Sequence, residues 1–230
     1  TVVPAAIAQL VQEQGVRELD AADVAALAKR YDVPAERFEE QLQTVYGRYL
    51  NALASEPDAP PKASEIGSLA ALRKGLSLGW NATSAAHVAE AAAVTGPPSG
   101  RLSGPLKKLL WLSEGLFATS RERATTAALR ESLSLSSADA QALIDELSAP
   151  LYRAAVTQAV GTYNRTEAPA MLQTVRRALC LSEPSAQDVH AAMYEAQLRS
   201  LLPAGSDAKL DDETALVLGE LEGILQIRSA

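Results

Sequence analysis

The chain of 230 residues is poor in the residue types that carry metal binding, disulfide bonding and most acid–base catalysis. It has one cysteine, Cys180, and two histidines, His87 and His190, which lie far apart in the sequence. A single thiol cannot form an internal disulfide or a multi-thiolate zinc site, and neither histidine belongs to an H-E-x-x-H pair. The sequence therefore predicts no catalytic residue, no metal ligand and no bound cofactor.

Aromatic residues are also scarce, at 4% of the chain, whereas 44 Ala and 33 Leu make up about a third of it. An all-β fold would need more Val, Ile, Thr and aromatic residues than are present. The apolar fraction of 47% is too high for a disordered chain. Because Ala and Leu are strong helix formers, the composition predicts an all-α protein.

Long apolar runs and excess positive charge are missing as well. The net charge of −7 and the pI of about 5.0 argue against a general nucleic-acid surface. No stretch approaches the ~18 apolar residues of a membrane span. The start, Thr1 to Pro4, carries neither Met nor a signal-peptide pattern, so we expect a piece of a longer protein. We interpret the two N-glycosylation sequons, at Asn81 and Asn164, as chance matches.

Four proline- and glycine-rich breaks lie at 55–61, 96–105, 161–169 and 203–207. The first and the third separate three segments, 1–55, 64–160 and 167–230, which we expect to form one continuous array. Ten or eleven helices are predicted, among them 20–30, 34–54, 137–160, 185–201 and 211–227. Pro150 is expected to kink or end its helix, and Gly219 with Gly223 to allow close helix packing.

A repeated pattern is the most informative feature. The segment at 72–78 (LRKGLSL) recurs at 129–135 (LRESLSL) and 175–181 (VRRALCL), with a weaker relative at 27–33. Each copy is predicted to end a helix and to be followed by a polar cap, at Ser84, Ser136 and Ser185, and by an Ala-rich helix. The spacing of roughly 45–57 residues is typical of two-helix repeats.

Helix pairs of this size cannot bury their apolar faces alone and must stack on their neighbours. The sequence therefore predicts an elongated solenoid of antiparallel helix pairs, similar to HEAT repeats. An irregular helical bundle is the alternative, because L-x-x-x-L-x-L also describes the end of an ordinary amphipathic helix.

The individual candidate residues all have structural interpretations. His190 follows Asp188 by two positions and is predicted to be a surface or boundary residue, and His87 a hydrogen-bonded interface residue. Cys180 is predicted to be a buried, inert thiol. Trp80 and Trp111 are expected in the core, although either could anchor an interface.

Charge is unevenly distributed along the second half of the chain. A basic stretch runs from Arg101 to Arg130, and an acidic one from Asp207 to Glu222. Solvated helix faces are the simpler interpretation. The functional alternative is a bipolar surface whose acidic end binds a partner or a basic targeting peptide.

The repeats at 72–78, 129–135 and 175–181, with the ends at Asp188-Val189-His190 and Leu201-Leu202-Pro203, carry a family resemblance. They resemble the stromal, C-terminal region of the large scaffold subunit of the chloroplast inner-envelope protein translocon, the Tic complex. The resemblance implies a HEAT-like rod on the stromal side of the inner envelope membrane. It also implies transit peptides, stromal chaperones and a co-chaperone as partners, and a soluble fragment without membrane contact of its own.

From these observations we expect a non-enzymatic scaffold that binds proteins and acts in chloroplast protein import. We do not expect it to bind nucleic acids. The partner-binding residues cannot be assigned from the sequence. A helical-repeat adaptor unrelated to plastids is the alternative, and a helical enzyme or ligand-binding bundle that uses His87 or His190 is the third.

Overall fold

The computed structural model describes residues 2–55, 61–94, 102–120, 126–162, 166–201 and 212–226. Within these ranges the chain forms eleven α-helices, a short 3₁₀ helix at Val16–Glu18 and no strand, which confirms the all-α class. The helices are α1 (Val2–Gln14), α2 (Ala21–Arg30), α3 (Ala35–Ala54), α4 (Ala63–Gly75), α5 (Trp80–Val94), α6 (Gly104–Ala118), α7 (Ala127–Ser132), α8 (Ser137–Thr162), α9 (Ala168–Ala178), α10 (Glu183–Leu201) and α11 (Asp212–Leu225).

The chain divides into two compact units, unit 1 (Thr1–Leu143) and unit 2 (Ile144–Ala230), and the boundary falls within α8. Each unit is described separately below. The predicted division into 1–55, 64–160 and 167–230 stays a prediction. The predicted breaks lie largely outside the described residues, in 56–60, 95–101, 163–165 and 202–211.

Four helices end in the same backbone motif, at the four segments that the sequence pattern marks. Asp32, Ser77, Ser134 and Cys180 follow α2, α4, α7 and α9 with φ of 49°, 53°, 56° and 53°. At the second of these corners, the Ser77 N–H donates to the Lys74 carbonyl (3.0 Å) and the Leu78 N–H donates to the Arg73 carbonyl (3.0 Å). The other three corners make the same two bonds, which define the Schellman motif.

The residue ten positions after each left-handed corner residue is buried. These residues are Leu42, His87, Ile144 and His190. Because each following helix begins a few residues after its corner, this position lies about two turns into the helix, on its inner face. The sequence repeat is thus also a repeat of backbone conformation and burial.

Helix α6 is the centre of unit 1. Its sequence is apolar on nearly every face, and it is buried from Leu106 almost continuously to Phe117, as expected for a helix without a solvent side. It contacts α3, α4 and α5. In unit 2, α11 contacts α9 and α10 through a narrower stripe that includes Leu218, Leu221 and Leu225.

The most extensive helix contact in unit 1 joins α3 to α5, which are not neighbours in the chain. Tyr46 is hydrogen-bonded to His87, and one turn later Asn51 donates to Glu90. Residue numbers therefore rise together along the contact, so α3 and α5 run in the same direction. A corner between α4 and α5 reverses the chain so that every second helix can pack side by side.

Several local predictions need correction. Ser84 and Ser185 lie inside α5 and α10, so they are not caps. Ser182 takes that role before α10, where its hydroxyl accepts from the Ser185 N–H. Ser136 is confirmed as a cap, because its hydroxyl accepts from the Asp139 N–H (3.1 Å) and donates to the Asp139 carboxylate.

Two predictions concern residues inside helices. Helix α8 continues through Pro150, so the predicted end of the helix there is wrong, and the predicted kink stays a prediction. Gly219 is not a close-packing site, because a Cβ added there would meet nothing within 4 Å.

Candidate functional site

Each unit contains one buried tyrosine–histidine pair. In unit 1 the Tyr46 hydroxyl lies 2.9 Å from His87 Nε2, and in unit 2 the Tyr152 hydroxyl lies 2.9 Å from His190 Nε2. The surface or boundary position predicted for His190 is wrong, because the side chain is buried at the inner-face position that follows the Cys180 corner.

The pair in unit 1 belongs to a closed network whose protons can be placed. The Ser113 hydroxyl, on α6, donates its one proton to the Leu109 carbonyl at 2.6 Å. Ser113 Oγ, 2.5 Å from His87 Nδ1, must then accept from an Nδ1–H group. Nε2 of the neutral ring therefore accepts from the Tyr46 hydroxyl. Every polar atom of His87 is satisfied, which confirms its prediction as a hydrogen-bonded interface residue.

Burial keeps both members of this pair neutral. It lowers the pKa of His87 to about 3 and raises the pKa of Tyr46 far above its ordinary value of 10.0, with the positive charge of Arg73 opposing the latter shift only in part. A histidine that takes up a proton only near pH 3 is poorly suited to acid–base chemistry at neutral pH. The His87 network is a structural element of unit 1.

The pair in unit 2 makes fewer hydrogen bonds than the pair in unit 1. His190 Nδ1 is buried and has no hydrogen-bond partner among the described residues. Burial lowers the pKa of His190, and a backbone interaction with Leu225 and the charge of Glu183 oppose this shift. Burial also raises the pKa of Tyr152 to about 12.

Aromatic side chains close the site in unit 1. The Trp80 and Phe117 rings are 5.2 Å apart, and Phe117 meets the His87 ring edge-on at 5.6 Å. The Arg73 guanidinium lies 4.0 Å from the Trp80 ring centroid, within cation–π range. Phe117 thus contacts the rings of both Trp80 and His87.

The matching place in unit 2 is a pocket of about 370 Å³, including its open mouth. Arg176, Glu183 and His190 each follow their counterparts Arg73, Trp80 and His87 by 103 positions. The ring of Trp80 is thus replaced by an acidic chain that is 63% exposed. Further lining residues include Tyr152, Leu172, Gln173, Ala186, Gln187 and Ile224.

Arg73 and Arg176 each donate a hydrogen bond to the corner at the end of their own helix. Arg73 Nη1 donates to the Leu78 carbonyl at 2.8 Å, and Arg176 Nη1 donates to the Leu181 carbonyl at 3.2 Å. Arg176 Nη2 also lies 3.0 Å from the Glu183 carboxylate, at the mouth of the pocket. The guanidinium of Arg176 is thereby fixed with one edge toward a carboxylate.

The predicted basic stretch is not a uniform solvated surface. Lys108 is buried, and its Nζ lies 3.1 Å from Glu65 Oε1, because the apolar helix α6 carries it into the core against α4. Arg130 lies 3.5 Å from Glu114. Arg101, Arg121 and Arg123 lie outside the described residues, as do Asp207, Lys209 and Asp211 of the acidic stretch.

The remaining single residues have mixed outcomes. Trp111 is buried in α6 as predicted, whereas Trp80 is only partly buried, at the rim of the unit 1 core. Cys180 is also only partly buried, because the left-handed corner turns its side chain away from the core positions occupied by Leu179 and Leu181.

The tyrosines are the functional-site residues that sequence reasoning missed. A signal did exist, since His87 and His190 lie at the same distance after Ser77 and Cys180. A histidine at a position filled by Leu42 and Ile144 in the other two copies indicates a buried polar group, which needs a partner.

No protein-family model, curated protein or solved structure matches the chain. None of the helices in the described ranges has the length and apolarity needed to cross a bilayer. The class that the fold and the site define is therefore an all-helical protein of repeated helix–corner–helix units with buried tyrosine–histidine pairs.

Proposed function

We propose that the chain is a non-enzymatic helical-repeat scaffold that binds other proteins. The observation that carries this proposal is the fourfold recurrence of one backbone corner with the same two hydrogen bonds. Repeated helical units bury their apolar faces against neighbouring units, and arrays of them expose broad surfaces to partners. The proposal includes the elongated solenoid of antiparallel helix pairs.

The shape of the chain in solution tests the solenoid. A compact protein of this length has a radius of gyration of about 17 Å. We expect small-angle X-ray scattering to give a clearly larger value and a distance distribution with a long tail. A value at the compact limit would overturn the solenoid and favour the irregular helical bundle.

The more specific proposal is a role in chloroplast protein import, at the stromal side of the inner envelope. Its partners would be transit peptides, stromal chaperones and a co-chaperone. The sequence resemblance supports it, and the net charge of −7 is suited to attracting basic peptides. Among the described residues of the acidic stretch, Asp212 and Glu220 are exposed.

Fluorescence anisotropy with a labelled transit peptide tests this role. We expect saturable binding that weakens as salt is added, because salt screens the attraction between the exposed charges of the protein and those of the peptide. The control is the same peptide with each Arg and Lys replaced by Glu, which should not bind. Absence of binding by the basic peptide would overturn the import role. If scattering still showed an elongated particle, the adaptor unrelated to plastids would be favoured.

A further inference from the structure

We propose that α10 and α11 form a docking surface for an amphipathic helix of a partner protein, which lies along Tyr194 and Leu198 and places a Lys or Arg against Glu222. The surface lies entirely within unit 2. The proposal rests on the protein-binding function proposed above and assigns to that function a surface and a class of partner.

Helix α10 repeats a pair of side chains found on α3. In α3, Tyr46 and Leu50 follow the left-handed corner residue by 14 and 18 positions. In α10 the same residue types, Tyr194 and Leu198, follow their corner residue by the same two distances. Each pair lies one turn apart on one face of its helix. On α3 this face holds α5, because the Tyr46 hydroxyl is bonded to His87.

The pair on α10 is more exposed than its counterparts. In the three other helices that follow a corner, the residue at position 14 is at most 1% exposed. These residues are Tyr46, Ala91 and Ser148. Position 18 is equally buried at Leu50 and Tyr152. Tyr194 and Leu198 are only partly buried, so the described residues leave this face partly open and a partner can reach it.

Helix α11 ends in a fifth left-handed corner residue. The segment 221–227 (LEGILQI) matches the repeated pattern with Ile in its last place, and Gln226 has a φ of 51°. Gln226 follows Cys180 by 46 positions, the distance that also separates Cys180 from Ser134. Each of the other four corners leads into a helix, α3, α5, α8 or α10. The place of the next helix, beside α10 and α11, is the surface proposed here.

The side chain beside Tyr194 has the opposite charge from its counterpart in unit 1. Four positions before its corner, α4 has Arg73, whose positive charge acts on Tyr46, while the Tyr46 hydroxyl donates to neutral His87. At the same position α11 has Glu222, and the Tyr194 hydroxyl donates to Glu222 Oε1 at 2.8 Å. A hydroxyl has one proton to donate, so Tyr194 can only accept a hydrogen bond from a partner. A Lys or Arg supplies both that donor and a positive charge for Glu222.

The end of α11 is also more acidic than the ends of the other helices that lead into a corner. The last turns of α2, α4, α7 and α9 carry basic residues, which suit the negative end of a helix dipole. The last turn of α11 has none and carries Glu222 instead, with exposed Glu220 nearby. The negative charge of this surface favours a basic partner helix.

The experiment is an NMR titration of the full isotope-labelled chain with a synthetic helix. The probe is a capped peptide with the sequence of α5, 80–94, carrying His87→Lys, so that a lysine stands where α5 places its histidine. We expect saturable shifts of the Leu198 methyl groups and the Tyr194 ring. No shift up to about 1 mM peptide would overturn the proposal, since weaker binding than this is too weak for a docking site.

The matched control is an isomeric peptide with Ala85→Lys and His87→Ala, which has the same composition and charge. Positions two residues apart on a helix point to nearly opposite faces, so the lysine of the isomer points away from Glu222. We expect the isomer to bind at least fivefold more weakly. Equal binding of the two isomers would show attraction to net charge alone and overturn the proposal.

Variants of the chain test the location. Leu198→Glu should weaken binding at least tenfold, and Glu222→Gln about two- to fivefold, the range of an exposed ion pair. Glu222→Arg reproduces the charge of Arg73, so at pH 8 it should prefer the unsubstituted α5 peptide over the lysine peptide. Asp188→Asn, which removes an exposed carboxylate from another face of α10, should change binding less than twofold. Circular dichroism must show wild-type helix content. Undiminished binding in folded Leu198→Glu and Glu222→Arg would place the peptide elsewhere and overturn the proposal.

Two other occupants of the surface are tested with the free chain. Sedimentation velocity should show a monomer, and a dimer that Leu198→Glu dissociates would make a second copy the occupant and overturn the proposal. A soluble gadolinium complex should broaden the Leu198 methyl signals. Unchanged signals would mean that other residues of the chain cover the surface, which would also overturn the proposal. Binding of a transit peptide by a chain that binds neither synthetic helix would leave the proposed function intact and overturn this surface alone.

Discussion

Burial of neutral His87 predicts that unit 1 loses stability in mild acid. The pKa of His87 is lowered by burial from its ordinary value of 6.5 to about 3. Between these two values the unfolded chain binds a proton that the folded chain excludes, so stability falls as the pH falls. The contribution is fully present above about pH 6.5 and is progressively lost as the pH drops toward 3.

The size of the effect follows from the shift. Each pH unit well inside this window removes about 1.4 kcal/mol, which gives a loss of about 2 kcal/mol between pH 7 and pH 5. Urea denaturation followed by tryptophan fluorescence measures it in the relevant part of the molecule. Both tryptophans of the chain, Trp80 and Trp111, lie in unit 1 with His87.

A double variant isolates the contribution of His87 from that of other titrating groups. His87→Leu with Tyr46→Phe removes both buried polar partners, and Ser113 keeps its bond to the Leu109 carbonyl. We expect the double variant to lie within about 1.5 kcal/mol of the wild type at pH 7. His87→Leu alone should be about 1–3 kcal/mol worse than the double variant, because it leaves the Tyr46 hydroxyl buried without a partner.

The comparison across pH is decisive. The gap between the wild type and the double variant should shift by about 2 kcal/mol in favour of the double variant from pH 7 to pH 5. If the two proteins instead lose stability in parallel, His87 does not exclude its proton and the network described for unit 1 is wrong.

Two further predictions concern the backbone. Ser77→Gly and Ser134→Gly should each raise the free energy of unfolding by about 1 kcal/mol, since both residues adopt the left-handed conformation that glycine accepts without strain. Urea denaturation followed by circular dichroism measures this, and Ser77→Ala, which keeps a Cβ, should bring no such gain. Gly75→Ala should lower the free energy of unfolding by about 1–3 kcal/mol, because its Cβ would lie 2.7 Å from the Leu19 carbonyl oxygen. Gly219→Ala, in open space on α11, should raise it instead, so destabilisation by both alanines would contradict the packing argument.

Much of the helical framework was accessible from the sequence because it depends on local signals. The periodic run at 34–54 and the capping pattern at Ser136 predict α3 and the start of α8 within a few residues. The repeat at 72–78 also marks a corner, although Ser77 gives no sign of a left-handed φ in the way that a glycine would. Periodicity and capping act over a few residues, so a single sequence contains them.

The pairing across helices was not accessible in the same way. Tyr46 lies 41 residues before His87, and Lys108 lies 43 residues after Glu65. The apolar sequence of α6 indicates a buried helix, but it does not show that Lys108 is more buried than Lys107 beside it. Which side chains meet is decided by how α3, α4 and α5 surround α6, and that arrangement depends on contacts between distant segments.

The recurrence of the tyrosine–histidine pair in only two of the four corners bears on its role. Leu42 and Ile144 show that an aliphatic side chain satisfies the same buried position, so the corner itself does not need a histidine. The hydrogen bond of a tyrosine–histidine pair, 2.9 Å long in both units, is kept in one arrangement of the two helices, whereas a contact between aliphatic side chains is kept in several.

The two tyrosines do not lie at equivalent positions after their corners. Asp32 and Ser134 are 102 residues apart, and the residue 102 positions after Tyr46 is Ser148, whereas Tyr152 lies one turn later. Both rings nonetheless meet their histidine at similar centroid distances, 5.7 Å in unit 1 and 5.5 Å in unit 2. The contact geometry is therefore shared by the two units although the tyrosines occupy different turns, which argues that the pair fixes how those two helices sit against each other.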